Sequence, residues 1–153
     1  MVIMDVDGVL TDGRIIFDSR GVECKSFDVH DGFALERGAR KGLLFAIVSG
    51  RKSECVTMRA KELGIDEVYQ GQKDKLKILG KLKVRYHLRD DEICFIGDDE
   101  PDLSALNSAG VSAAPANAVY TVRNIVDIVT AKEGGRGAVR EVIDMILNAK
   151  HLL

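Results

Sequence analysis

The chain has 153 residues, 46% of them hydrophobic and 30% charged, and a formal net charge of −2 at pH 7. This length and composition predict a folded domain with a substantial core, and the lack of a basic excess argues against nucleic acid or an anionic membrane as a partner. Three cysteines without CxxC spacing argue against a disulfide framework or a zinc site.

The N-terminal stretch contains Asp5 and Asp7, which the apolar core of a signal peptide would not tolerate, and no hydrophobic run reaches membrane-spanning length. We therefore expect a cytoplasmic protein. Because the chain opens directly in its first predicted strand, we also expect a few native residues upstream of Met1.

Short apolar runs alternate with helical patterns along the chain. The apolar runs predict strands at 2–5, 43–48, 67–69, 93–97 and 111–114, with a weaker strand at 126–129. Helical patterns lie near 32–41, 52–63, 74–87, 101–109, 117–124 and 137–149. Because the strands are apolar throughout, they predict a parallel sheet covered on both faces. We expect an α/β fold with a doubly wound, Rossmann-like sheet, as one domain over 1–153, with ligands bound beyond the strands' C-terminal ends.

Residues 14–27 interrupt this alternation. Two short apolar runs surround the turn Asp18-Ser19-Arg20-Gly21, which predicts a β-hairpin directly after the first strand. An isolated hairpin is marginally stable, so its apolar residues must pack on something. Packing on its own domain and pairing with other subunits are both open from the residues alone.

Asp5 and Asp7 follow the first strand two residues apart, in the run Asp-Val-Asp-Gly-Val-Leu-Thr-Asp-Gly. Residues i and i+2 of a strand face the same way, so both carboxylates leave the sheet edge on one side. Such close like charges require a cation or a shared proton. A nucleophilic aspartate beside a general acid, over a divalent metal, fits this pair, and a solvated turn after a strand is the alternative.

Ser49 and Lys75 also fall where predicted strands end. Ser49 precedes a predicted helix, where its hydroxyl and free backbone N–H groups suit an anion, although an ordinary helix N-cap is the simpler alternative. Lys75 opens a helix, against the helix dipole, and an anionic ligand with nearby carboxylates would explain that placement. An ordinary surface lysine is the alternative.

The segment Gly97-Asp98-Asp99-Glu100-Pro101-Asp102 places four acids within five residues after a buried strand. Such an oxygen-rich cluster suits Mg²⁺, and a solvated acidic turn is the alternative. Taken together in this order, the motifs indicate phosphoryl transfer to an aspartate. Asp5 attacks phosphorus, and Asp7 protonates the leaving alcohol and then serves as the base.

In this scheme Mg²⁺ lies between Asp5, the Asp7 backbone carbonyl and Asp98. Ser49 and Lys75 hold the phosphoryl oxygens. Asp99 and Asp102 orient the metal ligands from behind.

These four motifs resemble those of the haloacid dehalogenase superfamily, and the short insertion after Asp7 resembles its capless subgroup. The hairpin, the segments 27–32 and 49–51, and the glycine-rich segment 134–141 resemble the 3-deoxy-D-manno-octulosonate 8-phosphate phosphatase family. The resemblance implies a Mg²⁺-dependent phosphatase of lipopolysaccharide precursor synthesis. It also implies a homotetramer whose hairpins assemble into a central barrel.

The resemblance further implies a substrate set of Asp7, Asp28, Gly32, Arg51, Arg59 and Lys75. Arg51 and Arg59, eight residues apart, share nearly one helix face, and their guanidinium groups suit a sugar carboxylate or phosphate. Asp28, His30 and Glu36 depart from the family pattern of asparagine, arginine and arginine. Arg51 favours the eight-carbon substrate over a nine-carbon ulosonate 9-phosphate, whose phosphatases tend to carry glutamate there.

Two other classes of protein are weighed against this enzyme. A receiver-type signalling domain has the same residue types, but its acceptor aspartate lies between the acid pair and the hydroxyl residue, which is not the order here. A phosphatase-like oligomerisation module, as in some sialate-activating enzymes, predicts broken catalytic positions, whereas all four motifs are intact.

Overall fold

The computed structural model describes all 153 residues. Its strands are β1 (Val2–Met4), β2 (Ile16–Phe17), β3 (Glu23–Cys24), β4 (Phe45–Ser49), β5 (Glu67–Gln70), β6 (Cys94–Ile96), β7 (Val111–Ala114) and β8 (Ile128–Val129). Its α-helices are α1 (Val29–Arg40), α2 (Glu54–Glu62), α3 (Lys75–Tyr86), α4 (Leu103–Ser108), α5 (Tyr120–Arg123) and α6 (Ala138–Ala149). Short 3₁₀ turns cover Asp90–Glu92 and Glu100–Asp102.

Six parallel strands form the central sheet in the order β5-β4-β1-β6-β7-β8. The first strand lies inside the sheet, where Val2 pairs with Phe45 on one side and Cys94 on the other. This order confirms the predicted doubly wound α/β fold. It also places the C-terminal ends of β1, β4 and β6 side by side.

Both faces of the sheet are covered, and this explains why its strands are apolar throughout. Alternate residues of each strand point to opposite faces. Met4 and Ile47 pack with Val142 of α6 on one face, while Ile3 and Phe95 belong to the core on the other face. None of the helices combines the length and apolarity that crossing a membrane requires.

The predicted hairpin is also confirmed. Strands β2 and β3 pair antiparallel, separately from the central sheet. Its outer residues Ile15, Ile16, Phe17 and Val22 are 46–60% exposed. The hairpin is the only insertion between β1 and α1, so the fold has no cap domain at that position.

The helix starts differ from the sequence prediction by one to three residues, and two of these differences bear on the site. Helix α1 begins at Val29 because the Asp28 side chain caps it, accepting a 2.6 Å hydrogen bond from the His30 backbone N–H. Helix α2 begins only at Glu54, with Ser53 as its N-cap. The N-cap alternative for Ser49 is therefore wrong, because Ser49 is the buried last residue of β4.

Candidate active site

A polar cleft of about 480 Å³ opens at the C-terminal ends of β1, β4 and β6. Its lining contains no hydrophobic residue. Eight of the residues predicted from the sequence line it: Asp5, Asp7, Ser49, Arg51, Lys75, Asp98, Asp99 and Asp102. The topology brings these residues together because they directly follow neighbouring parallel strands or open the next helix.

Lys75 connects the carboxylates at the bottom of the cleft. Its ammonium lies 2.9 Å from Asp5 Oδ1 and donates a 2.5 Å hydrogen bond to Asp102 Oδ1. The Lys75 side chain is only 4% exposed. Burial alone would lower the pKa of Lys75, but the charges of Asp5 and Asp102 outweigh it and raise that pKa. The lysine is therefore held charged at this position.

The acids outnumber this single buried ammonium. Burial raises the pKa of Asp5 to about 6, although Lys75 opposes the shift. Burial, together with the charges of Asp5 and Asp102, raises the pKa of Asp98 to about 7. Negative charge here lacks compensation from the protein itself, which is the electrostatic condition of a cation site.

Two carboxylate oxygens of this cluster are buried and lack a full set of partners. Asp98 Oδ1 has no hydrogen-bond partner within the protein, and Asp5 Oδ1 has only its contact with the Lys75 ammonium at 2.9 Å. One ligand oxygen each from Asp5, Asp98 and Asp102 lie within 4.8 Å of one another. Carboxylate oxygens at this spacing, with that of Asp98 unpartnered, fit a hard divalent cation such as Mg²⁺.

Asp102 and Asp99 play different parts in this cluster. Asp102 is 1% exposed, and its Oδ2 accepts the backbone N–H of Asp98 at 3.0 Å. Asp99 is exposed and caps the following 3₁₀ turn through the Glu100 N–H. Asp102 thus fixes the Asp98 backbone, as a supporting residue should.

The Asp7 carboxylate faces the hairpin side of the cleft. It forms an ion pair with Lys25, and Arg51 Nε lies 3.6 Å from its Oδ2. Glu23 of β3 completes the group, because its Oε1 accepts a 2.5 Å hydrogen bond from Arg51. The hairpin therefore forms a wall of the cleft.

Ser49 ends β4 where two loops meet. Its Oγ accepts the Arg51 N–H at 3.3 Å, and its carbonyl accepts the Gln72 N–H at 2.9 Å. The hydroxyl is thus fixed by neighbouring backbone and lies on the cleft lining, 2% exposed as a residue.

The glycine-rich segment 134–137 packs directly on the loop that carries Asp7. A Cβ at Gly134 would lie 1.8 Å from the Gly8 carbonyl oxygen, so only glycine fits there. The Gly135 N–H donates to the Val9 carbonyl at 3.0 Å. At the end of the segment, Asp31 accepts the N–H groups of Gly137 and Arg140, which ties the segment to α1.

Three residues of the predicted substrate set, Asp28, Gly32 and Arg59, do not line the cleft. They form a second group, in which the Arg59 guanidinium packs over Gly32 and lies 3.5 Å from the Asp28 carbonyl. Arg59 also pairs with Glu62 at 2.7 Å. Their role in binding substrate stays a prediction.

Sequence reasoning missed Lys25 and Glu23, which it treated only as hairpin residues. The available signal was their spacing: at i and i+2 of a strand, both side chains share one face. It also assigned no role to Gln72 and Lys73, which line the cleft. Their sequence signal was weak, since polar residues are ordinary in a loop.

The fold and this site define a class of protein: a hydrolase with a doubly wound α/β fold, whose carboxylates lie together at the C-terminal edge of a parallel sheet beside a buried lysine. A family profile described as haloacid dehalogenase-like hydrolase matches residues 57–143. The chain belongs to this haloacid dehalogenase-like family, as its motifs predict, and it is a phosphoric monoester hydrolase.

Particular relatives support this assignment. The 3-deoxy-D-manno-octulosonate 8-phosphate phosphatase of Escherichia coli is 39% identical over 150 residues, covering 98% of this chain and 80% of the relative. The Moraxella catarrhalis phosphatase of the same name, solved with magnesium, phosphate and the KDO molecule, is 45% identical, with a TM-score of 0.94 over 97% of this chain and 85% of that one. The cobalt-bound phosphatase of Haemophilus influenzae is 39% identical, with a TM-score of 0.94 over 98% and 88%.

Proposed function

We propose that the protein is a Mg²⁺-dependent phosphatase that hydrolyses 3-deoxy-D-manno-octulosonate 8-phosphate to the sugar acid and inorganic phosphate, in lipopolysaccharide precursor synthesis. The observation that carries the proposal is the contact of Asp5 Oδ1 with the buried Lys75 ammonium, beside the unpartnered Oδ1 of Asp98. The choice of substrate is supported by the relatives, which are 39–45% identical and carry that activity in their names.

Asp5 is the nucleophile in the proposed reaction. Its carboxylate oxygen forms a bond to phosphorus, the ester P–O bond breaks, and Asp7 gives its proton to the departing sugar oxygen. Water then attacks the aspartyl-phosphate, Asp7 takes a proton from it, and phosphate leaves with Asp5 restored. The Asp7 side chain is 21% exposed, so it is accessible from the cleft in both steps.

The carboxylates of Asp5 and Asp98, with the Asp7 backbone carbonyl, would hold Mg²⁺. The bound ion neutralises charge on the transferring phosphoryl group. Lys75 and Ser49 hold phosphoryl oxygens, Asp102 supports Asp98, and Asp99 lies behind on the exposed side.

Arg51 is proposed to recognise the substrate's carboxylate. Its side chain is 45% exposed on the cleft lining, and a guanidinium can hold a carboxylate through two parallel hydrogen bonds. Asp28, Gly32 and Arg59 lie together outside the cleft, and they would contact a part of the substrate that extends beyond it.

A homotetramer assembled through the hairpin would cover the exposed side chains of Ile15, Ile16, Phe17 and Val22. A cytoplasmic setting is consistent with three free cysteines.

Phosphate release from a panel of sugar phosphates, with Mg²⁺ and with EDTA, tests the function. We expect Mg²⁺-dependent release with a preference for the eight-carbon ulosonate 8-phosphate. Preference for the nine-carbon 9-phosphate would correct the substrate and leave the chemistry. No release from any compound would reject the proposed enzyme and favour the oligomerisation module.

The assembly has its own test. Ile16→Lys places a charge on the exposed hairpin face and should yield smaller particles by light scattering. Val84→Lys, at a 77% exposed position of α3, is the matched control and should leave the mass unchanged. An unchanged mass for Ile16→Lys would reject assembly through the hairpin.

A further inference from the structure

We propose that Lys25, supplied by the hairpin, is a positioning residue that holds the Asp7 carboxylate towards the reacting phosphate. The inference rests on the proposed function, in which Asp7 delivers and removes protons. It gives the hairpin a second task besides assembly.

The first argument is burial. Lys25 follows β3 on an otherwise exposed hairpin, yet its side chain is 1% exposed. An ammonium is costly to remove from water unless paired, and lysines are seldom fully buried. On an exposed hairpin the Lys25 ammonium could remain hydrated. Its burial against Asp7 therefore requires an explanation other than the stability of the hairpin.

The second argument is the arrangement of charges. Lys25 pairs with Asp7 and lies 3.6 Å from Glu23 Oε1, while Arg51 bonds to that same Glu23 oxygen and lies 3.6 Å from Asp7. Two cations and two anions thus alternate, and each cation contacts both acids. Such a network fixes Asp7 from the hairpin side because each of its members is held by two opposite charges.

The third argument is what else holds Asp7. Lys25 is the one cation that donates a hydrogen bond to its carboxylate, since the Arg51 contact is longer. Removing the ammonium would leave the Asp7 carboxylate with only the longer Arg51 contact. Misplacement of an acid by about 1 Å can cost about 10²-fold in rate.

The test uses the full chain with Mg²⁺ and compares two substrates. In the sugar phosphate the leaving oxygen needs a proton, whereas the p-nitrophenolate of p-nitrophenyl phosphate departs without one. Lys25→Met keeps the length of the side chain and removes the charge. In the first step Asp7 acts only as the acid, and there we expect Lys25→Met to lower the single-turnover rate of sugar release about 30-fold and that of p-nitrophenolate release less than about threefold. In the second step Asp7 is the base for both substrates, so the steady-state kcat should fall on both, with KM changed less than about threefold.

Lys25→Arg restores a cation and should recover most of the lost kcat. Lys41→Met, at an exposed lysine at the end of α1, is the matched control and should behave as the wild type. An equal loss of the single-turnover rate of leaving-group release on both substrates would reveal a merely structural role and overturn the assignment. So would a loss confined to KM, or no loss at all.

Crystal structures of the wild type and Lys25→Met provide a readout that does not depend on turnover. The Asp7 carboxylate should leave its position in the variant, and an unmoved Asp7 would overturn the proposal. If the wild type releases no phosphate from the sugar phosphate, the proposed substrate fails, and the position of Asp7 still decides the role of Lys25.

Discussion

The two ends of the central sheet carry clefts of nearly equal size and opposite chemistry. The cleft at the C-terminal ends, about 480 Å³, has no hydrophobic lining residue. The cleft at the N-terminal ends, about 470 Å³, has 10 hydrophobic residues among 14, including Leu43 and Cys94. Size alone therefore does not distinguish the reactive end from the inert one.

Unsatisfied charge distinguishes them. Asp5 and Asp98 are buried without full partners at the C-terminal edge, whereas Asp91 of the other cleft is an exposed acid paired with Arg89. The incompletely paired carboxylates of Asp5 and Asp98 destabilise the folded protein, whereas the exposed Asp91–Arg89 pair contributes little to its stability. We interpret the strained electrostatics as the mark of function, and the following experiments test that contrast.

The largest effect is expected from Asp5→Asn. It removes the nucleophile, so phosphate release should fall by at least about 10³-fold, measured by a phosphate assay with Mg²⁺. Because a desolvated charge is removed, the thermal midpoint should not fall. Asp91→Asn at the opposite cleft is the control and should keep wild-type activity. Undiminished turnover by Asp5→Asn would reject the mechanism.

Lys75→Met should damage both stability and activity. It leaves Asp5 and Asp102 without their shared ammonium, and breaking such a buried pair costs about 3–5 kcal/mol. We expect a matching loss in urea unfolding and about 10²-fold lower turnover. Lys77→Met, at an exposed position of α3, is the control. A variant as stable as the wild type would contradict the proposed charge balance.

In EDTA, stability should decrease as pH rises from about 4 to 7. The folded state raises the pKa of Asp5 and Asp31 to about 6 and that of Asp98 to about 7, largely through burial. The folded protein therefore keeps protons that the unfolded chain has released, so the free energy of unfolding falls with rising pH. Thermal melts across this range measure the slope.

Asp98→Asn should reduce the loss of stability between pH 4 and pH 7 by on the order of 2 kcal/mol, and the raised pKa values of Asp5 and Asp31 should maintain the remainder. Mg²⁺ should stabilise the wild type most at the upper end of the range, where the carboxylates are ionised. A rise in stability with pH in EDTA would contradict the burial of these acids.

The smallest effect is expected at the apolar cleft. Leu43 is partly buried there against the core, so Leu43→Ala should cost about 1–2 kcal/mol in urea unfolding while activity stays within about twofold. Leu44→Ala, its 41% exposed neighbour, should cost less. A large loss of activity in Leu43→Ala would show that the two ends are coupled.

The central sheet was predictable because its strands are uniformly apolar and sharp motifs follow them. Asp5, Ser49, Lys75 and Asp98 meet because parallel topology aligns the strand ends, and the alternation of strands and helices predicts that topology. Local patterns thus suffice where the backbone itself brings residues together.

The hairpin wall was not predictable in the same way. The burial of Lys25 depends on how the hairpin folds back over β1, and a two-residue strand pair has no periodicity that fixes this direction. Likewise, Arg59 packs over Gly32 through a tertiary contact between helices, which its spacing from Arg51 does not reveal. These residues depend on contacts distant along the chain.

The close packing of Gly134 on Gly8 has a consequence for the newly made chain. During translation the nucleophile emerges first, yet part of the packing around the loop that carries Asp7 comes from residues made more than one hundred positions later. Both edges of strand β1 can be paired only after β6 has been synthesised. A nascent chain should therefore remain inactive until the glycine-rich segment has been made and has packed on Gly8.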